Sequence, residues 1–583
     1  MAYDLGKQQV MTPHEEDVYT DIMREFSAMQ LARSTTATHW EEIAELILPT
    51  SRNTFFYQNF NWPGIKKTDR QVDASGMMAL HRFAAICDSL LTPRNMFWHG
   101  LEASDPYVMK DRATRLWFEQ VTKLLFKYRY KPIANFSAQN QNNYQSLGAF
   151  GTGAMFIDEF DGTDYQGTTG IRYKAVPMGE LFLKENHQGM IDGFIRWMRM
   201  TARQIQQKFP DTFPETLRPA LESQNQLQIF NVLHHVCPRT DYDPDRLDAR
   251  GKPFSSTYLS IEGHCILREG GYRMLPIAAS RYDQTPGEVY GRSPAMMVLP
   301  ALKTLNAQKT TFLKQAHRAA DPVLLTADDG LIDMSLRPGA MNKGGVTPDG
   351  KLLVHALETG NIQITKEAMQ EEKSLINDAF LVTLFQILTE TPQMTATEVI
   401  ERTNEKGILL APTVGRQSSE YLGPTIVREI DILAHLRDNR GRPILPPMPP
   451  RLKEAKGEYD VIYTNPLSRA AKAQETAGFL RTVESVKELV NITGDPSLLD
   501  PFEFDVAVPA MADAQAVPES WMSSKMQIGK KRQNRAQSQA EQQKIQALPA
   551  QAAMVKAQAV AQKANPQGQP QGQPQQAGGP LQQ

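Results

Sequence analysis

The chain has 583 residues, 41% of them hydrophobic, and Lys+Arg 63 against Asp+Glu 65 leave a net charge of -2. Such a length exceeds one core and predicts two to four substructures, while near-neutrality disfavours a protein that wraps nucleic acid by charge alone. Three scattered cysteines, Cys87, Cys237 and Cys265, are too few for a disulfide framework and fit a reducing compartment. The N-terminal MAYDLGKQQVMTPHEEDVY lacks a basic segment followed by an apolar run, and no apolar stretch approaches a membrane span. The expectation is a soluble protein made in the cytosol. Residues 14 to 48 then carry helical periodicity, with Trp40, Ile43, Ala44 and Ile47 on one face and Pro49 stopping the run. A second helix reads SGMMALHRFAAICDSLL and stops at Pro93; a third region runs from DRATRLWFEQVTKLLFKY to NFSAQNQNNYQSLGAF.

From Gly153 the pattern changes to strands, AMFIDEF, IRYKAV, GFIRWMRM, LQIFNVLHHV and STYLSIE, with a short helix TARQIQQKF between two of them. Residues 1–290 therefore read as an α+β unit. Ser293 and Pro294 are a cap and a first helical residue for a helix running to about Ala320, kinked at Pro300. Residues 322 to 364 are short strands and glycine turns. A second long helix is predicted from Thr365, where Ile364 and Met369 would form a hydrophobic staple, through EEKSLINDAFLVTLFQIL. TETPQM breaks it. Thr395 and Glu398 then form a capping box, and a longer helical stretch continues to about Arg437, bent or broken at Gly407, Pro412 and Pro424. EYDVIYT is one more strand, SRAAKAQETAGFLRTVESVKELVN a helix, and from about 529 the chain is Gln- and Ala-rich, its PQGQPQGQPQQAGGPLQQ end having nothing to bury.

Motifs that carry chemistry fail on inspection. GVTPDGKL (345–352) nearly matches a phosphate-binding loop, but Leu352 supplies no hydroxyl and LLVH continues as a strand where a helix N-terminus is needed. GAFGTG (148–153) follows a helix and precedes a strand, the reverse of a dinucleotide fingerprint. DYDPDRLD (241–248) starts like a calcium loop, yet Arg246 replaces the turn glycine and Lys252 the closing carboxylate. In HHVC (234–237), strand alternation puts His234 and Val236 on one face and His235 and Cys237 on the other, with no zinc-spaced partner nearby. KKRQNR (530–535) is a short basic run that reads as a solvated helix start, with DNA contact as the alternative. No G-x-S-x-G or H-E-x-x-H occurs. The expectation is a non-enzymatic protein with no cofactor and no metal.

Several longer strings resemble the portal, or head-to-tail connector, proteins of short-tailed (podovirus-type) tailed bacteriophages. They are NFSAQNQNNYQSLGAFGTGAMFIDE, GEVYGRSPAMMVLPALKTLN, TPQMTATEVIERTNEKG and EYLGPTIVREIDIL, with WEEIAELILPTSRNT and YTNPLSRAAKAQE beside them. The resemblance spans about residues 15 to 525. It implies a predominantly helical α+β portal fold that assembles as a ring, usually of twelve copies. The implied parts are a wing (1–290), a stem helix (291–320), a clip (321–364), a second stem helix (365–388) and a tunnel loop (389–395). A long kinked helix with its return strand (396–465), crown helices (466–528) and a partly disordered tail (529–583) follow.

On this reading the short loop between two helices faces the ring axis, with Thr389, Glu390, Gln393 and Met394 towards passing DNA. A stem of ~25 residues is about 37 Å long and encloses on the order of 20 phosphates, so an acidic or mixed lining lets DNA slide; Glu371 and Glu372 are the candidates. Lys303, Lys309 and Lys314 face neighbouring copies or form sparse basic rings. Leu375, Ile376, Ala379, Phe380, Leu384, Ile387 and Leu388 exceed one apolar stripe, and some of them should pack on adjacent subunits. Arg337, Asn342, Lys343, Asp349 and Lys351 on the clip are candidates for docking the motor and adaptors.

The resemblance further implies a virion protein at a unique capsid vertex, made in the host bacterial cytoplasm. Double-stranded DNA would pass without sequence specificity. The implied partners are the terminase large subunit, tail adaptor proteins, and the major capsid and scaffolding proteins; no membrane is involved. A scaffold or internal core protein and a nucleotide-driven packaging motor are the rival readings.

Overall fold

The computed structural model describes residues 11–56, 66–160, 169–222, 228–326, 335–357 except 336 and 344, 362–383, 411–437, 441–514 except 465 and 495, 517–542 except 518 and 525, and 554 and 556. Two compact units divide the chain, 1–516 and 517–583.

The first unit opens with helix α1 (Pro13–Leu46), 34 residues started by Pro13 and a capping box. There the Glu15 amide donates to Thr12 Oγ1 at 3.3 Å, and the Thr12 amide donates to Glu15 Oε2 at 2.7 Å. Helix α2 (Ser75–Leu91), strand β1 (His99–Ala103), α3 (Arg112–Arg129) and α4 (Phe136–Phe150) follow. Strands β2 (Thr152–Phe160), β3 (Gly170–Ala175), β4 (Leu181–Glu185) and β5 (Ile191–Thr201) come next, then the short helices α5 (Ala202–Lys208) and α6 (Arg218–Glu222). Strands β6 (Ile229–Pro238), β7 (Phe254–Ser260), β8 (Cys265–Tyr272) and β9 (Ile277–Arg281) complete the region. Helix α7 (Leu299–Ala320), the strand pair β10 (Leu324–Thr326) and β11 (Val354–Ala356), and α8 (Ile362–Ala379) form a projecting hairpin. Helix α9 (Gly423–His435), strand β12 (Tyr459–Tyr463) and helices α10 (Pro466–Thr493) and α11 (Phe504–Ala514) end the unit. In the second unit the described residues include a helix over 526–542, exposed throughout, which carries the KKRQNR run.

Strands β4 to β8 make a five-stranded antiparallel meander, buried on both faces. Alternation sorts its side chains: Phe182, Ile195, Trp197, Leu233 and Leu259 meet Tyr19, Ile22 and Phe26 of α1. Met198, Val232, Tyr258 and Leu267 meet Ile205, Phe209 and Leu217 on the other side. A second sheet, β3-β2-β9, packs into the main core with α2, α4 and α9. Trp40, wholly buried, donates from Nε1 to Phe150 O at 3.1 Å and so joins α1 to the end of α4. Between α4 and β2, Gly151 sits at φ +74, and an added Cβ would lie 2.2 Å from Gly291 O, so this helix-to-strand turn requires glycine twice over.

The predicted strands and the first helices stand where the periodicity placed them. The Ser293 cap also forms, its Oγ accepting from the Met296 amide at 3.0 Å. Pro300 makes more than a kink, because the short helix Pro294–Met297 ends and α7 begins afresh at Leu299. The staple at Ile364 and Met369 does not exist. Helix α8 starts earlier, at Ile362, leaving Ile364 exposed on its surface while Met369 is buried. Thr365 is inside the helix and donates to Gln315 Oε1 at 3.3 Å instead of capping. The expected run to 388 is interrupted at Phe380 and Leu381, the latter at φ 60, and from 384 it lies outside the described residues. The capping box at Thr395 and Glu398 lies outside them too.

One polar clasp fastens α1 to the five-stranded sheet. Lys184 Nζ donates to Glu25 Oε1 at 2.7 Å, and His235 Nε2 lies 3.4 Å from Glu25 Oε2. The hydrogen bond from His235 leads the causes that lower the Glu25 carboxyl to about 2. Burial pulls the His235 imidazole down, but bonds to Cys237 and Glu25 outweigh it and leave its pKa raised to about 9. A depressed carboxyl stabilises above its unfolded value of 4.5 and ceases to do so as pH falls through about 2. A raised imidazole stabilises fully below 6.5 and loses that contribution as pH climbs through about 9. Thermal melts should therefore show the wild type losing stability between these two values in a way that His235→Gln does not; parallel curves would refute the clasp.

Candidate functional site

Helix α7 has 22 residues and α8 has 18, about 33 and 27 Å of rod. Only the base of α7 is buried, at Leu299, Ala301, Leu302 and Leu305; from Asn306 to Ala320 no residue is buried. Met369 and Ile376 seat α8 at the same base, with Phe380 packed edge-on against Phe83 of α2 at 6.0 Å. Asn306 Oδ1 accepts from the Val72 amide at 2.8 Å, and Lys373 lies 3.8 Å from Asp73, so the segment before α2 braces both helices. At the far end β10 and β11 pair antiparallel, and the insert exposes Val323, Leu325, Met341, Leu352 and Leu357. So much uncovered apolar surface in one short segment marks an interaction surface.

Beyond the loop region, α9 is entered from residue 411 through a π turn at Ser418–Leu422. A π turn widens the helical ladder, here with the Gly423 amide donating to Ser418 O, and side chains add further donors. Tyr463 of β12 donates to Ser418 O at 2.7 Å, and Thr425 Oγ1 donates to Tyr421 O at 2.7 Å. The turn's side chains are pinned as well. Tyr421 donates to Asn140 Oδ1 at 2.6 Å, and Arg281 Nη2 donates to Glu420 Oε1 at 2.9 Å.

About two turns beyond the π turn, Glu429 is wholly buried. Arg129 Nε donates to its Oε1 at 2.9 Å, Arg129 Nη2 to its Oε2 at 2.5 Å, and Tyr173 OH to Oε1 at 2.6 Å. Burial pulls the Arg129 pKa down, the Glu429 carboxylate more than reverses this, and the guanidinium stays charged. Burial likewise drives the adjoining His99 well down, so it sits neutral beside Arg129.

A family model described as "Bacteriophage head to tail connecting protein" matches residues 20–522. The chain belongs to this family of head-to-tail connecting proteins. As a connector it resides in the phage particle, where head meets tail at a capsid vertex. The connector is 27% identical over 534 residues to the "Probable portal protein" of Bordetella phage BPP-1, covering 90% of this chain and 92% of that one. It is also 27% identical over 535 residues to the "Portal protein" of Salmonella phage epsilon15, covering 89% and 92%. A solved chain titled "Virion of native gene transfer agent (GTA) particle" overlaps at 12% identity and TM-score 0.32, covering 70% of this chain and 86% of that one. Among the described residues no helix is long and apolar enough to cross a membrane, and no group of three or more His, Cys, Asp or Glu is placed to hold a metal ion.

In this connector the sequence-derived candidates fall in three places. Thr389, Glu390, Gln393, Met394, Leu384 and Ile387 lie outside the described residues. Glu371 is exposed and Glu372 half-buried on α8, while Arg337, Asn342, Lys343, Asp349 and Lys351 are all exposed on the insert. Asn342 also shapes that loop, accepting from the Ser335 amide at 2.9 Å and donating to Ser335 O at 3.0 Å. Of the helix residues expected to pack on neighbours, Leu375 is 53% exposed, but Ile376 and Phe380 are at 0%. Those two fill the chain's own core and leave no surface to another copy. GVTPDGKL is a turn with Gly350 at φ 79 that leads into β11, so no helix N-terminus meets it.

Sequence reading missed the Arg129–Glu429 pair and the π turn. The pair's partners stand 300 positions apart, and no local pattern joins them. Glu429→Gln strands a buried guanidinium and should lower the unfolding free energy by roughly 3–5 kcal/mol in urea titrations. Arg129→Met with Glu429→Leu should recover most of that loss; an equal loss in the double variant would refute the assignment.

Proposed function

We propose that the chain is a portal: identical copies close into a ring, twelve in number, and double-stranded DNA passes through the ring during packaging and ejection. The observation that carries this is the family match over 20–522 on a chain whose central hairpin and insert are left uncovered by its own core. Ring closure covers them. The loop with Thr389, Glu390, Gln393 and Met394 would then face the axis, and α9, held by Glu429 and the π turn, would give it a rigid base.

The insert, with Arg337, Asn342, Lys343, Asp349 and Lys351 exposed around apolar Val323, Leu325 and Leu352, fits the clip. There it would dock the terminase large subunit during filling and tail adaptor proteins afterwards, while capsid and scaffolding proteins meet the outer surface. Exposed Leu375 fits contact with an adjacent copy. The role is structural and not enzymatic. The nearest approach to a nucleotide loop lacks both the hydroxyl and the helix, so the energy for translocation would come from the docked motor.

Purified full-length protein should give particles with a central hole in negative stain and a native mass that is a multiple of 65.4 kDa, with no ATP turnover in the presence of magnesium. Elongated particles, monomers at every concentration, or turnover at motor rates would overturn the reading.

A further inference from the structure

The two outer sides of the α7–α8 hairpin carry opposite charge. On α7, Lys303, Lys314 and Arg318 are exposed and stand eleven and four residues apart, which at 3.6 residues per turn aligns them in one ridge. On α8, Glu367, Glu371 and Asp378 are exposed and stand four and seven apart, a second ridge. The helices meet where Thr365 of α8 donates to Gln315 of α7, and Met369 and Ile376 lie on the same side of α8 as Thr365 and are buried. At about 100° per residue the acidic ridge lies opposite that buried side and points away from α7, while Lys314 and Arg318 stand about 100° and 60° round α7 from Gln315 and flank its contact with α8.

We propose that these ridges are the two halves of a seam between neighbouring copies, the Lys314–Arg318 side of one against the Glu367–Glu371 side of the next. The proposal rests on the ring reading and adds which surfaces meet. A two-fold contact would set each ridge against its own like charges. Basic against acidic is a heterologous contact, the kind that closes into a ring when the rotation allows.

One pair agrees in height as well. In a closed ring every copy stands at the same level, so partners must lie at equal distances along the hairpin. Thr365 lies across from Gln315, and Asp73 feels both Lys373 and Lys309 nearer the base, which fixes the antiparallel register. Counting equal rises from the first pair puts Lys314 level with Lys366 and Glu367. Arg318 stands one turn beyond and Glu371 one turn towards the base, about 12 Å apart in height, so Lys314 and Glu367 are the matched pair and the other two flank it. Lys303 is already held by Glu42 of its own chain at 2.8 Å and is not needed at the seam. On this proposal Glu371 stands at the edge of the seam, where the sequence suggested the channel lining.

The test uses full-length chains in sedimentation velocity and native mass spectrometry over a concentration series. Lys314→Glu with Arg318→Glu, and separately Glu367→Lys with Glu371→Lys, should each move ring formation to concentrations at least roughly tenfold higher. Combining all four changes swaps the two ridges and should return assembly to within about threefold of wild type. A mixture of the single variants Lys314→Cys and Glu367→Cys should give a disulfide-linked dimer under oxidation, whatever the charge variants do. Wild-type rings with indifferent reversals, no rescue by the fourfold swap, or no cross-link would overturn the seam alone. Absence of rings in the wild type would overturn the channel reading beneath it.

Discussion

Burial along the central hairpin stops at Leu305 on one helix and at Met369 on the other, and everything beyond projects from the core. That is the constraint from which the rest follows. Apolar side chains such as Leu313, Leu325 and Leu352 cost free energy in water that a lone copy has no means of recovering. Charged side chains such as Lys314 and Glu371 on the same rods are exposed as well. A chain built this way finishes its fold only against other chains, and the opposite charges on the two rods state which surface should meet which.

A projecting rod transmits position only if its base is rigid, and the first unit is built to make it so. Helix α1 spans two cores, its first half on the five-stranded sheet and its second half around Trp40. The Arg129–Glu429–Tyr173 group joins α3, β3 and α9 in a buried interior, where removing one partner would be costly. Next to it hydroxyl groups of Tyr463 and Thr425 donate to carbonyls of the π turn. These contacts hold the helix that leaves the loop region to the sheet and to β12, so movement of one is resisted by the others.

Much of this was legible in the sequence because it is written locally. Period-two alternation revealed β2, β5 and β6, and the 3.6 period with Pro49 and Pro93 delimited the first two helices. What stayed hidden is non-local. Strand β1 looks unremarkable until it pairs with β12, where His99 faces Tyr463. Glu429 reads as an ordinary helix-surface acid until Arg129 is brought to it. A start for α8 at Thr365 follows from the Ile364–Met369 staple, but Thr365 lies inside the helix and bonds Gln315 across the hairpin. Phe380 and Ile376 looked like surplus apolar surface for a neighbour, and the main core simply had room for them. The family resemblance rested on long strings, which a match over 20–522 bears out; the parts of the portal that it implied remain a proposal.

The most direct test is a reconstruction of the virion without imposed symmetry, taken at sufficient detail to trace α7 and α8 at the head-to-tail vertex. The account predicts this chain at one vertex only, its hairpins arranged around an axis occupied by duplex DNA, with α7 of each copy facing α8 of the next. Hairpins turned outward from the axis, or the chain found at every vertex, would contradict it.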